Sequence, residues 1–103
     1  MKRRTADVEE GNDAIAELAE AMVRLRTTAQ MRAFLEDLCT PAELEAMTDR
    51  WKVVPLLLDG VPYREIHDRT LVSVTTIGRV ARTLDRGAGG YAAAIKRRAT
   101  RAA

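Results

Sequence analysis

Between Tyr63 and Arg86 the chain sets hydrogen-bonding and cationic side chains at helical spacings. Arg64 and His67 stand one turn apart, Ser73, Val74, Thr75 and Thr76 follow in a row, and Arg79, Arg82 and Arg86 recur every three to four residues. Threonine hydroxyls can bond base edges or phosphate oxygens, and their methyl groups can touch the methyl of thymine. Arginines neutralise phosphates, and a helix N-terminus attracts them. The chemistry on offer is recognition of a polyanion. The bland counterpart is that Thr75 and Thr76 are ordinary first-turn residues and the arginines are merely solvated.

Other chemistry finds little support. His67 is the only histidine and Cys39 the only cysteine, so neither a metal-ligand spacing nor an intramolecular disulfide can be drawn, and no glycine-rich phosphate-cradling loop is present. Cys39 falls on an apolar stripe with no base nearby in sequence and reads as a small core residue, not a nucleophile. No enzyme, metal or cofactor is therefore expected. Neither a signal-peptide core nor a membrane-spanning run follows Met1-Lys2-Arg3-Arg4, which suggests a cytoplasmic, bacterial, nucleoid-associated protein.

The elements that must position these residues read as helices throughout. Aromatics make up only 4% of the 103 residues, so an aliphatic, all-α core is expected, and the length suits one unit. Residues 1–49 carry six Lys/Arg against eleven Asp/Glu, and residues 50–103 carry eleven against four; a basic half beside an acidic one suits a single polyanion-facing surface. Residues 1–12 are polar and unpatterned and read as a flexible arm. A helix is expected from the Asp13 cap to Arg26 on Ile15, Leu18, Met22 and Leu25, and a second from Thr27 or Thr28 on Met31, Phe34, Leu35 and Leu38.

Thr40-Pro41-Ala42-Glu43 is the sharpest boundary, with a capping hydroxyl, proline at the first helical position and a glutamate three residues after the cap. The helix it opens runs through the apolar Leu44, Met47, Trp51, Val54, Leu57 and Leu58 and ends at Asp59-Gly60, where Gly60 can be left-handed. Pro55 predicts a kink or a break inside it. A short helix from Tyr63 to about Thr70 turns inward on Ile66. After Leu71-Val72-Ser73, a helix capped by Ser73 points Val74, Ile77, Val80, Ala81 and Leu84 inward. Gly87-Ala88-Gly89-Gly90 reads as a hinge before a last helix, Tyr91 to Arg98. A single helical domain over 13–98, a helix-turn-helix over about 63–84 and a basic tail at 99–103 complete the layout. The turn is unusual in containing no glycine, so it either avoids positive φ or carries strain.

Two stretches, Phe34-Leu35-Glu36-Asp37-Leu38-Cys39-Thr40-Pro41-Ala42-Glu43-Leu44 and Tyr63-Arg64-Glu65-Ile66 through Thr75-Thr76-Ile77-Gly78-Arg79-Val80, make the chain resemble the Trp-repressor superfamily, and within it the Trp-repressor-related YerC/YecD family. The resemblance spans roughly Ile15 to Ile95. It implies an intertwined homodimer of about five to six helices per chain with two helix-turn-helix heads, acting as a sequence-specific transcriptional repressor on a near-palindromic operator. On that reading Arg64, His67, Ser73, Val74, Thr75 and Thr76 read or border bases, and Arg82, Arg86 and Lys96 meet phosphates.

The resemblance also raises a ligand. In tryptophan-responsive members the indole lies between two arginines that match Arg50 and Arg79, near residues that match Thr40 and Thr83. Val80 stands where those members have glycine, and its branched side chain, with Trp51 beside Arg50, disfavours L-tryptophan; another small effector, or none, stays open. The competing reading is a helical dimer that docks an acidic protein partner through its basic half, with Arg97 and Arg98 prominent, or binds DNA without sequence preference in an architectural role.

Overall fold

The computed structural model describes residues 5–95, with side chains at residue 11 and from residue 13 onward. Five helices follow one another: α1 (Thr5–Val23), α2 (Thr28–Leu38), α3 (Pro41–Leu58), α4 (Tyr63–Thr70) and α5 (Val74–Arg86), and a sixth, α6, is helical over residues 90–95. No strand occurs among the described residues. The chain divides between Thr40 and Pro41 into two units, and each is described by itself.

The first unit holds α1 and α2. The first helix begins at Thr5, not at Asp13, so residues 5–12 are helical where the sequence suggests an arm. Apolar spacing marks where a helix buries a face, not where its backbone starts to turn. At α2 the expected cap is Thr27: its Oγ1 accepts from the Gln30 N–H at 3.0 Å while Gln30 Oε1 accepts from the Arg26 N–H at 2.8 Å, so two of the N–H groups that a helix start leaves unpaired are satisfied reciprocally. No residue of α2 is buried, and Ile15 on α1 is 68% exposed. The amphipathic stripes exist, but a single chain covers them only in part: Met22, Leu25, Met31, Phe34 and Leu35 are half-buried and Ile15, Leu18 and Leu38 exposed.

The second unit packs α3, α4 and α5 on one another around Val53, Val54, Ile66, Val72, Ile77 and Val80, all buried. Proline opens α3 and Glu43 lies in its first turn, as the boundary motif requires. The helix runs unbroken through Pro55, which rules out the expected division into two shorter helices. It ends in a Schellman arrangement: Gly60 takes φ +78°, its N–H donates to the Leu57 carbonyl, and the Val61 N–H donates to that of Leu56, both at 3.0 Å.

The buried face of α3 differs from the expected one. Val53 and Val54 are enclosed, whereas Met47, Trp51 and Leu58 are exposed. Apolar residues surround the second half of this helix, so the regular spacing of one stripe does not reveal which side faces α4 and α5. Tyr91 and Ile95 of α6 pack against the core, and the Tyr91 ring stacks on Trp51 with centroids 6.4 Å apart.

Candidate nucleic-acid interface

The connection between α4 and α5 is three residues long, and bonds to Leu71, Val72 and Ser73 hold its backbone. Leu71 takes the left-handed conformation, φ 65° and ψ 9°, and its N–H donates to the His67 carbonyl at 2.7 Å. This resolves the question posed by the glycine-free turn: positive φ is used, and a leucine bears it. A left-handed L-residue costs roughly 1–2 kcal/mol, so neighbours must hold it there. Thr70 does so in part, donating from Oγ1 to the Ile66 carbonyl at 2.7 Å and accepting the Val72 N–H at 3.1 Å. His67 closes the loop with Nδ1 2.7 Å from the Val72 carbonyl; a carbonyl only accepts, so Nδ1 carries the proton. Val72 itself is buried, and Leu71 is 82% exposed.

Ser73 caps α5 as expected. Its Oγ accepts the Thr76 N–H at 3.1 Å and lies 3.0 Å from the Thr76 hydroxyl, and the Ile77 N–H donates to the Ser73 carbonyl at 3.0 Å. The cap leaves Ser73, Val74 and Thr75 exposed at the helix start and Thr76 half-buried. Val74, assigned by spacing to both the inner face and the reading edge, is 52% exposed and so belongs to the edge. Ile77 and Val80 point into the core, which leaves Val74, Thr75 and Arg82 exposed on the other side of the helix, with Gly78 half-buried between them.

The cationic candidates occupy different surroundings. Arg64, Arg79 and Arg82 are exposed, and Arg86, also exposed, lies 3.6 Å from the neighbouring carboxylate of Asp85, a pair too solvated to immobilise it. Arg69 pairs with Glu65 one turn back on α4. His67 is the residue whose placement differs most from expectation: it is half-buried, and Nδ1 serves the turn, not a groove. Lys96, Arg97 and Arg98 lie outside the described residues.

The residues matched to a ligand pocket are spread over several elements. Thr40 precedes α3, Arg50 is half-buried on α3, and Arg79 and Thr83 are exposed on α5, where the Thr83 hydroxyl donates to the Arg79 carbonyl at 3.0 Å. Val80 is 1% exposed, a core residue in full. A small cleft lies at Thr83, but it is lined by Leu84, Ala88, Gly90 and Tyr91, not by Arg50 or Arg79.

The model of the Trp repressor protein family matches residues 13–99. The chain belongs to the Trp repressor family. It is 32% identical over 81 residues to YerC of Bacillus subtilis (strain 168), an uncharacterised protein, covering 79% of this chain and 78% of that one. A crystal structure from Staphylococcus aureus, provisionally assigned as a Trp repressor, superposes with a TM-score of 0.76 at 30% identity, covering 82% of this chain and 85% of that one. The all-helical architecture is thus that of a Trp repressor. Sequence reasoning missed three features of this member: the support that Thr70 and His67 give the turn, the stacking of Tyr91 on Trp51, and the close approach at Gly87. A Cβ at Gly87 would lie 2.5 Å from the Thr83 carbonyl oxygen. Only the glycine at 87 was visible beforehand, as part of an apparent hinge.

Proposed function

We propose that this Trp repressor family member is a sequence-specific, non-catalytic DNA-binding regulator that works as a homodimer and represses by occluding a promoter. The observation that carries the reading is the α4–α5 pair: a three-residue, hydrogen-bonded turn delivers the start of α5 with Ser73, Val74 and Thr75 exposed, on the same helix pair as the exposed cations Arg64 and Arg82. Ser73 to Thr76 form the edge that enters the major groove, and Arg64, Arg82 and Arg86 meet phosphates. His67 contributes by fixing the turn that aims this edge.

The exposed apolar residues Ile15, Leu18 and Leu38, together with Met47, Trp51 and Leu58 on α3, support dimerisation, because a second copy would cover apolar surface that one chain leaves in water. Two heads on a two-fold axis would meet successive major grooves about 34 Å apart, hence a near-palindromic operator. No helix among the described residues is long and apolar enough to cross a membrane; the proposed setting is the bacterial cytoplasm and nucleoid.

We further propose that DNA binding does not depend on L-tryptophan. Val80, where tryptophan-responsive members have glycine, is locked among Ile66, Ile77, Val53 and Val54 and cannot swing aside for an indole. Thr40, Arg50, Arg79 and Thr83 then serve another small effector or none. The test is selection of bound duplexes from a random pool, with and without L-tryptophan, followed by salt titration of the enriched sequence. The expected result is one enriched near-palindrome, unchanged by tryptophan, whose affinity falls steeply with salt. No enrichment would sink the reading, and salt-steep binding without enrichment would replace it with an architectural role.

A further inference from the structure

Gly78 stands in the interior of α5, where glycine weakens a helix relative to alanine. Nothing in the fold calls for it. Its φ is not in the left-handed range, and a Cβ there would meet only Tyr63 Cε2 at 3.9 Å and Arg82 Nη1 at 4.0 Å, ordinary contact distances. Gly87 shows the contrast, since there the Thr83 backbone excludes any side chain. A glycine that the chain does not need for its own packing, half-buried beside two side chains at the protein surface, lets a group from outside approach the helix backbone more closely than any side chain would allow.

The surroundings identify the visitor by charge and position. Gly78 lies half-buried on the side of α5 that carries Val74, Thr75 and Arg82, four residues after Val74 and four before Arg82. Its walls are the edge of the Tyr63 ring, from the first residue of α4, and the Arg82 guanidinium, so an aromatic ring and a cation converge over bare backbone. In a helix-turn-helix the first helix crosses the sugar-phosphate backbone while the second lies in the groove. The start of α4 and the middle of α5 therefore flank a phosphate, not a base edge.

We propose that the notch left at Gly78, between the Tyr63 ring and the Arg82 guanidinium, seats a backbone phosphate of the bound DNA, with Arg82 as its cationic partner and Tyr63 as its second wall. This rests on the DNA-binding reading above. The seat brings the α5 backbone closer to the strand than any side chain at 78 would allow, and it sets how deeply Ser73 to Thr76 enter the groove. It adds Gly78 and Tyr63 to the contacts and gives Arg82 a specific place among them.

Gly78→Ala separates stability from binding. By helix propensity the variant should melt higher, by about 4 °C or more for a domain of this size, while binding the selected duplex about tenfold more weakly, equally so for specific and random sequence. Its slope of log affinity against log salt should flatten by about 1.8 for the dimer, the signature of one lost phosphate contact in each of two half-sites. In a second measurement, neutral methylphosphonate linkages are placed one at a time along the operator. Wild type should lose affinity at one phosphate per half-site where Gly78→Ala loses nothing further. A lower melting temperature for Gly78→Ala would show that the fold needs this glycine and would overturn the proposal, as would undiminished affinity with an unchanged salt slope. A loss confined to specific sequence would assign the position to a base. Failure of wild type to bind any duplex would instead remove the underlying reading, and the proposal with it.

Discussion

Replacing Leu71 by glycine should stabilise the protein, although it removes a large apolar side chain. Leu71 sits at φ 65°, ψ 9°, where an L-residue gives up roughly 1–2 kcal/mol. Glycine is free of that strain but brings back about 0.5–1 kcal/mol through the greater freedom of its unfolded chain. The side chain is 82% exposed, so little burial is lost with it. The balance favours Leu71→Gly by about 0.5–1 kcal/mol, a rise in melting temperature of roughly 2–8 °C for a domain of this size. Thermal unfolding followed by circular dichroism measures it, with protein concentration held fixed because an associating protein melts higher when concentrated. Leu71→Val gives the opposite control, since a β-branched residue at positive φ is strained further. A Leu71→Gly variant that melts at or below wild type would refute the reasoning, and would mean that the leucine side chain gains from a contact outside the chain more than its backbone loses.

Three other substitutions probe the same head. His67→Ala should destabilise by about 1–3 kcal/mol, because the Val72 carbonyl loses its donor in a part-buried turn; chemical denaturation measures this, and an effect below about 0.5 kcal/mol would show that Thr70 alone holds the turn. Ser73→Ala removes the cap that accepts the Thr76 N–H and should cost about 1 kcal/mol, with Ser73→Gly milder, both read from denaturant midpoints. Gly87→Ala forces a Cβ to within 2.5 Å of the Thr83 carbonyl oxygen, so the end of α5 must shift; a loss of about 1–3 kcal/mol is expected, and a neutral result would mean that the last turn simply frays.

What could be read in advance was what local chemistry decides. Pro41 at a first helical position, Ser73 at a cap and Gly60 at a left-handed helix end each answer a need of one backbone turn, and each stands where its type predicts. The turn at Leu71 was opaque for the complementary reason. Its conformation comes from bonds made by Thr70 and His67, side chains whose own spacing suggested solvent or a groove, and no rule about residue 71 alone supplies them. The exposed start of α5 was legible as a row of small residues after a cap. Gly78 was not, because a glycine inside a helix announces itself only when its neighbours are known and none of them excludes a Cβ.

The misreading of α3 has a physical cause that bears on how the protein works. Apolar residues at 44, 47, 51, 54 and 58 keep a helical period, and so do those at 53, 54 and 57, which share one flank with them. A helix with one partner needs a single stripe; this one has apolar surface to spare. The core of the head takes Val53 and Val54 and is complete within the chain, since every wholly buried side chain lies between Val53 and Val80 among the described residues. The remaining stripe, with Met47, Trp51 and Leu58 exposed, is not part of that buried core. The head's geometry therefore rests on contacts internal to each chain, while the distance between two heads would be set by the surfaces that single chains leave open. In a two-headed reader of DNA, that separation lets the turn and cap tune which bases are met and leaves the spacing of half-sites to the dimer.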